Sequence, residues 1–279
     1  MQFLTEQGLE LKTERGQRVF PVSDKSSDVI RTLERVLKDR HVQVHLKQQV
    51  CDLWIEDNEI RGILLSGGEK VEADVVILAA GGVSYPSTGS TGDGYRFAKK
   101  SGHTIAPLSP SLVPMTVKED YCMQMQGLSL KNVEVKIKDG KKVLFEEFGE
   151  MLFTHFGISG PLVLTLSSLL PEEGEVRLSL DLKPALDEGT LDKRLLRDFA
   201  AAKNCQISTV MDGLEPHSLG QMLLRLADIS PYMPVHSVTA AQRKQLVKLM
   251  KAVPLTVKGT RGMEEAVITR GGVQVKEVN

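Results

Sequence analysis

One stretch constrains this 279-residue chain more than any other: residues 73–94, ADVVILAAGGVSYPSTGSTGDG. Val75, Val76, Ile77, Leu78 and Ala79 form a nearly unbroken apolar run, the pattern of a strand covered on both faces in an α/β sheet. The run ends in Ala80-Gly81-Gly82, where missing side chains let the main chain turn sharply and let a ligand approach closely. A second loop, Thr88-Gly89-Ser90-Thr91-Gly92-Asp93-Gly94, leads into a helix expected over 95–101, with Asp93 placed to cap its free N–H groups. Small residues beside a helix N-terminus suit the phosphates of a cofactor. They suit equally a tight loop packed on its own helix. No glycine-lysine-Ser/Thr ending makes this a P-loop. The Rossmann fingerprint is missing too, because Phe97 stands where Gly92-Asp93-Gly94-Tyr95-Arg96 would need a final glycine.

The flanking segments read as a doubly wound α/β domain. Ser26 is an expected N-cap for a helix with Val29, Ile30, Leu33, Val36 and Leu37 on one face. Val42, Val44 and Leu46 then alternate with polar residues, as a strand does. Residues 51–55, 60–65 and 70–73 read as a β meander, with Trp54 expected in a core. Pro107, Pro110 and Pro114 mark a domain boundary.

Beyond them the chain is β-rich. Val133, Val135 and Ile137 alternate with charges before a possible Asp139-Gly140 turn, and Val176, Leu178, Leu180 and Leu182 alternate later. Pro161 suits the first turn of a short helix. From 187 to 251 the pattern becomes helical, with Leu191, Leu195 and Phe199 on one face and Leu219, Met222, Leu223 and Leu226 on another. Thr239 and Gln242 form a capping box.

The charge balance, 35 Lys+Arg against 36 Asp+Glu, gives a net charge of −1 and points to neither nucleic acid nor an anionic membrane. Three dispersed cysteines, Cys51, Cys122 and Cys205, imply free thiols in a reducing cytoplasm. No His, Cys and carboxylate spacing suggests a metal.

Several motifs in order resemble one family along the whole chain: Arg18-Val19-Phe20-Pro21-Val22-Ser23-Asp24-Lys25, the loops of 79–94, Phe153-Thr154-His155-Phe156-Gly157-Ile158-Ser159-Gly160-Pro161, Gly259-Thr260-Arg261-Gly262, and Ala266 to Val273. The chain resembles the BaiN-like (YhiN-like, aminoacetone oxidase-type) NAD(P)/FAD-dependent oxidoreductases. The resemblance implies an α/β plus α+β architecture: a partial glutathione-reductase-like FAD-binding domain, an inserted β-barrel-like domain and a small helical domain. The expected divisions are 1–108 for the FAD domain, 109–186 for the β-rich insert and 187–251 for the helical domain. A return strand at 252–260 and a return to the FAD domain at 261–279 complete the expectation.

The resemblance also implies roles for particular residues. Val50 would meet the adenine through its main chain. Ala79, Ala80, Gly81 and Gly82 would form a dinucleotide-contacting turn, and Thr91, Gly92, Asp93 and Gly94 the loop beside the cofactor. Gly271, Gly272 and Val273 would lie near the flavin ring. His155, in a polar gap between two phenylalanines, is the candidate for proton transfer; the same position suits a structural histidine. Arg261 suits an anionic group or an acidic partner.

The expected activity is FAD-dependent oxidoreduction of a small organic substrate, with NAD(P)H or oxygen as electron partner. Relative to the family, an opening fingerprint and a closing glycine-rich stretch are missing. The chain is therefore expected to be a central fragment that binds FAD weakly or not at all and self-associates through uncovered apolar surface. The alternative is a non-catalytic remnant that binds a small molecule or partner without flavin.

Overall fold

The computed structural model describes residues 1–14, 17–139, 142–170 and 175–278. It separates into a unit of Met1–Gly81, Gly92–Ile105 and Val273–Asn279 and a unit of Gly82–Thr91 and Ala106–Gly272. Gly140 and Lys141, at the expected hairpin turn, lie outside the described residues.

The first unit opens with α1 (Gln2–Glu6) and a hairpin of β1 (Leu11–Glu14) and β2 (Arg18–Pro21). Helix α2 (Ser26–Asp39) follows. Ser26 is its first residue rather than its cap, and the N-cap is Lys25, with no side-chain bond. Three antiparallel strands come next, β3 (Val50–Glu56), β4 (Glu59–Leu65) and β5 (Lys70–Glu72), and then α3 (Asp93–Lys100).

Two expected strands of this unit do not form. Residues 42–46 and 75–79 carry no strand structure. Their apolar side chains stand out from the protein, with Leu46 79% and Ile77 85% exposed. The apolar face of α2 is likewise open at Ile30, Leu33 and Leu37. An apolar run becomes a sheet strand only where neighbouring backbone bonds its N–H and C=O groups. No strand among the described residues pairs with either segment. Trp54 is also not a core residue: Lys70 Nζ sits 4.0 Å from its ring centroid, and its Nε1 donates to Glu56 at 2.8 Å.

The second unit holds most of the buried core. Its first strand, β6 (Ile105–Ser111), carries Pro107 and Pro110 and pairs outside the barrel with the last strand of the chain, β13 (Ile268–Val273). A two-stranded ribbon leaves one edge of β6 without ladder bonds, which is where proline is tolerated.

The barrel follows. Strands β7 (Met115–Val117), β8 (Ser129–Asp139), β9 (Lys142–Thr154), β10 (Gly157–Ser159), β11 (Val176–Asp181) and β12 (Val253–Thr260) close in the order β10-β7-β12-β11-β8-β9, every pair antiparallel. Alternate residues point inward, and Val133, Val135, Ile137, Leu178 and Leu180 are all buried. Gly157 is required for closure. Its φ is +152°, and a Cβ there would lie 2.4 Å from the carbonyl oxygen of Met115 on β7.

Short helices α4 (Tyr121–Gln124) and α5 (Pro161–Ser167) pack beside the barrel strands. Between β11 and β12 come α6 (Glu188–Ala201), α7 (Ile207–Asp212), α8 (His217–Leu226) and α9 (Ala240–Lys251). Their inward faces bury Leu191, Leu195, Leu219, Leu223 and Leu246, continuous with the barrel core. The Thr239–Gln242 capping box opens α9. Among the described residues no helix is long and apolar enough to cross a membrane.

Candidate functional site

The residues singled out for cofactor contact divide between the two units, and each set has its own geometry. In the first unit, Val50 is half-buried at the start of β3, paired with Leu65. Ala79, Ala80 and Gly81 are exposed, with Gly81 at φ +73°. The start of α3 comes close to this turn: a Cβ on Gly94 would lie 3.5 Å from that of Ala80.

Gly92, in the left-handed region at φ +81°, is the N-cap, and no side chain caps the helix. Asp93 therefore does not serve as the cap. It lies inside the first turn, where its carboxylate accepts from Arg96 at 2.9 Å. Arg96 also donates to the carbonyl oxygen of Cys51 at 2.9 Å, tying the helix start to the strand that Val50 opens. Three of the expected segments are thus held together in this unit, around 50–51, 80 and 93–94. Arg96 was absent from the expected set; its only signal is the i, i+3 spacing from Asp93.

Val273 also belongs to the first unit, at the end of β13. The chain after it is fastened by Gln274, whose N–H donates to Thr104, and by Glu277, whose carboxylate accepts from the Thr104 N–H at 2.7 Å. That hydrogen bond holds the Glu277 carboxyl below its usual range.

In the second unit, Gly82 is half-buried and Thr91 exposed. The loop between them is pinned by one hydroxyl. Thr269 Oγ1 accepts from the N–H of Val83 at 2.9 Å and of Ser84 at 3.1 Å, and lies 2.7 Å from Ser84 Oγ. Tyr85, next in line, adopts φ +49° and ψ +60°. Gly271 and Gly272 lie in β13. Gly271 serves a close approach of backbone, since a Cβ there would sit 2.1 Å from the carbonyl oxygen of Pro107.

His155 is exposed in the two-residue connection between β9 and β10. Its ring stands edge-on to Phe156, centroids 4.9 Å apart. Arg261 covers the same phenyl ring, its guanidinium carbon 4.6 Å from the centroid. Glu265 fixes Arg261 through a 2.6 Å bond from Nε, and this bond raises the guanidinium's already high pKa. An imidazole and a guanidinium thus flank one aromatic ring.

A family model described as HI0933-like protein barrel and H2TH domain matches residues 109–268. A 3-dehydro-bile acid delta(4,6)-reductase of Clostridium scindens is 30% identical over the whole chain, which covers 68% of that relative. A ribosomal RNA dihydrouridine synthase of Haemophilus influenzae is 27% identical over 80% of the chain and 53% of its own length. Its namesake from Escherichia coli is 27% identical over 92% of the chain and 62% of its own length. The chain thus spans between about half and two thirds of these curated relatives.

Proposed function

The chain belongs to the HI0933-like family, and from that premise we propose that it is part of a flavin-dependent oxidoreductase acting on a small organic substrate. FAD is the proposed cofactor and NAD(P)H or oxygen the electron partner. The observation that carries this reading is the exposed turn of small residues at Ala79–Gly81 beside the start of α3. An exposed loop of small residues, next to a helix start whose N-cap is Gly92, fits the phosphate-and-sugar part of a dinucleotide. Had these residues been walled in by protein, the fit would fail; Ala79, Ala80 and Gly81 are all exposed.

Val50, Ala79–Gly82, Thr91–Gly94 and Gly271–Val273 are the proposed cofactor-contacting segments. Bound flavin supplies hydride chemistry. The residues of this chain hold it and manage protons. His155 is the proposed proton carrier, since it is exposed and its ring stands beside Phe156, which Arg261 covers. The name of the Clostridium relative supports reduction of a small organic molecule as the reaction type.

A second reading rests on the apolar run 75–79, which stands outside any sheet: a module that binds a small molecule or partner without flavin. The two readings separate when FAD-loaded chain is mixed anaerobically with NADPH and with NADH. Bleaching of the visible flavin band supports the oxidoreductase. A chain that takes up no FAD favours the second reading.

A further inference from the structure

Among the described residues, nine other than glycine have positive φ. Most are Asp, Asn, His or polar residues at turns, where the left-handed region is tolerated. Two are bulky, Leu112 and Tyr85. Leu112 has a packing reason: it is half-buried where the chain leaves β6, and its carbonyl accepts from Val267 at 3.1 Å. Tyr85 has none. Its side chain is 47% exposed, and its phenol makes no hydrogen bond among the described residues.

The conformation of Tyr85 is also costly for a second reason. Pro86 follows, and a residue before proline is driven toward extended backbone. The surrounding loop nevertheless over-determines the left-handed state. The Tyr85 carbonyl accepts from Thr88 twice, from N–H at 2.9 Å and from Oγ1 at 2.7 Å. Its N–H points to the Met263 carbonyl at 3.4 Å. One residue earlier, buried Ser84 and the Thr269 hydroxyl lock the approach. Strain that is held by a dedicated network, at a half-exposed side chain whose phenol bonds to no described residue, marks a residue aimed at a ligand.

We propose that Tyr85 is a ligand-contacting residue whose strained backbone presents its ring to a flat conjugated ring, that of flavin or of nicotinamide. This inference rests on the oxidoreductase reading. An aromatic face suits such a ligand through offset or edge contact, and the free phenol adds one directional hydrogen bond.

The test compares the chain with Tyr85→Asn and Tyr85→Phe. Asparagine tolerates the left-handed region and removes the ring, whereas phenylalanine keeps the ring and the strain. Thermal unfolding is measured without ligand, and FAD and NADPH are titrated separately by their fluorescence. The expected result is that Tyr85→Asn melts about 2–4 °C higher than the parent yet binds one of the two ligands about tenfold more weakly. Tyr85→Phe should resemble the parent in melting and keep most of the affinity. The arm that weakens, FAD or NADPH, identifies the ring. Equal affinity of Tyr85→Asn for both ligands overturns the proposal, as does a lower melting temperature for that variant. A parent chain that binds neither ligand overturns the oxidoreductase reading itself, and the proposal with it.

Discussion

Arg96 reaches from α3 to the carbonyl oxygen of Cys51, a 2.9 Å hydrogen bond spanning 45 positions of sequence. With its other nitrogen it holds Asp93, so one guanidinium fixes the start of α3 against the start of β3. Replacing it by leucine keeps an aliphatic stem beside Phe97 and removes both bonds. The side chain is largely exposed, so the expected loss is about 1 kcal/mol. Chemical denaturation of Arg96→Leu measures it, and the FAD titration of this variant should weaken in parallel.

Thr269 organises the loop of the second unit through three hydrogen-bonding partners. Thr269→Val has nearly the same shape and no acceptor. Two main-chain N–H groups and the Ser84 hydroxyl then lose their partner in a partly buried place. The expected cost is about 2 kcal/mol, read as a shift of the denaturation midpoint with unchanged slope.

Gly157 and Gly271 test whether glycines in family motifs serve ligands or backbone. Gly157→Ala forces a methyl against the carbonyl of Met115 in a left-handed conformation. A loss of about 3 kcal/mol or failure to fold is expected. Gly271→Ala, against Pro107, should behave similarly. Wild-type stability in both variants, seen by thermal melting, would remove the structural explanation and return these positions to the ligand.

The helical region contains a buried carboxyl, Glu215, 3.1 Å from Lys183 Nζ. Burial raises its pKa above the ordinary 4.5, and Lys183 only partly offsets this. In the folded state the group therefore holds its proton to higher pH than in the unfolded state. The stability from that proton is present in full below about pH 4.5 and is lost as pH climbs through the raised folded value. Glu215→Gln has no such proton to lose. The stability difference, parent minus variant, should fall as pH rises through that window; a difference that stays flat from acid to neutral pH contradicts the burial effect.

Val75, Ile77 and Leu78 are exposed on a segment that pairs with no strand among the described residues. Such a run favours association between copies of the chain. Sedimentation velocity should show mass rising with concentration, and Ile77→Lys should suppress the rise while changing stability by less than about 0.5 kcal/mol. A parent that stays monomeric at high concentration refutes the association.

The same apolar signal had opposite fates in the two units, and this sets how much could be read in advance. The alternation of Val133, Val135 and Ile137 became a barrel strand because β9 and β11 bond it on both sides. The run 75–79 is just as apolar, yet no strand among the described residues pairs with it. Periodicity reports which face wants burial, but not whether a bonding neighbour exists. The capping box of α9 was legible because both partners lie three residues apart. The role of Asp93 was not, because Arg96 competes for the same carboxylate. Trp54 looked like core because of its size, yet a lysine and a glutamate occupy its ring and its N–H. At the candidate site the glycine-rich turns were visible in sequence, whereas the bonds that set them, from Arg96 to Cys51 and from the 83–84 amides to Thr269, join residues far apart in the chain.

The most direct measurement is an equilibrium titration of the purified chain with FAD, followed by flavin fluorescence and carried to high concentration. Weak but saturable binding of one flavin per chain, weakened further by Arg96→Leu, is the outcome predicted here. A flavin signal that never saturates, and that is the same with and without Arg96, would contradict a nucleotide contact at Ala79–Gly81.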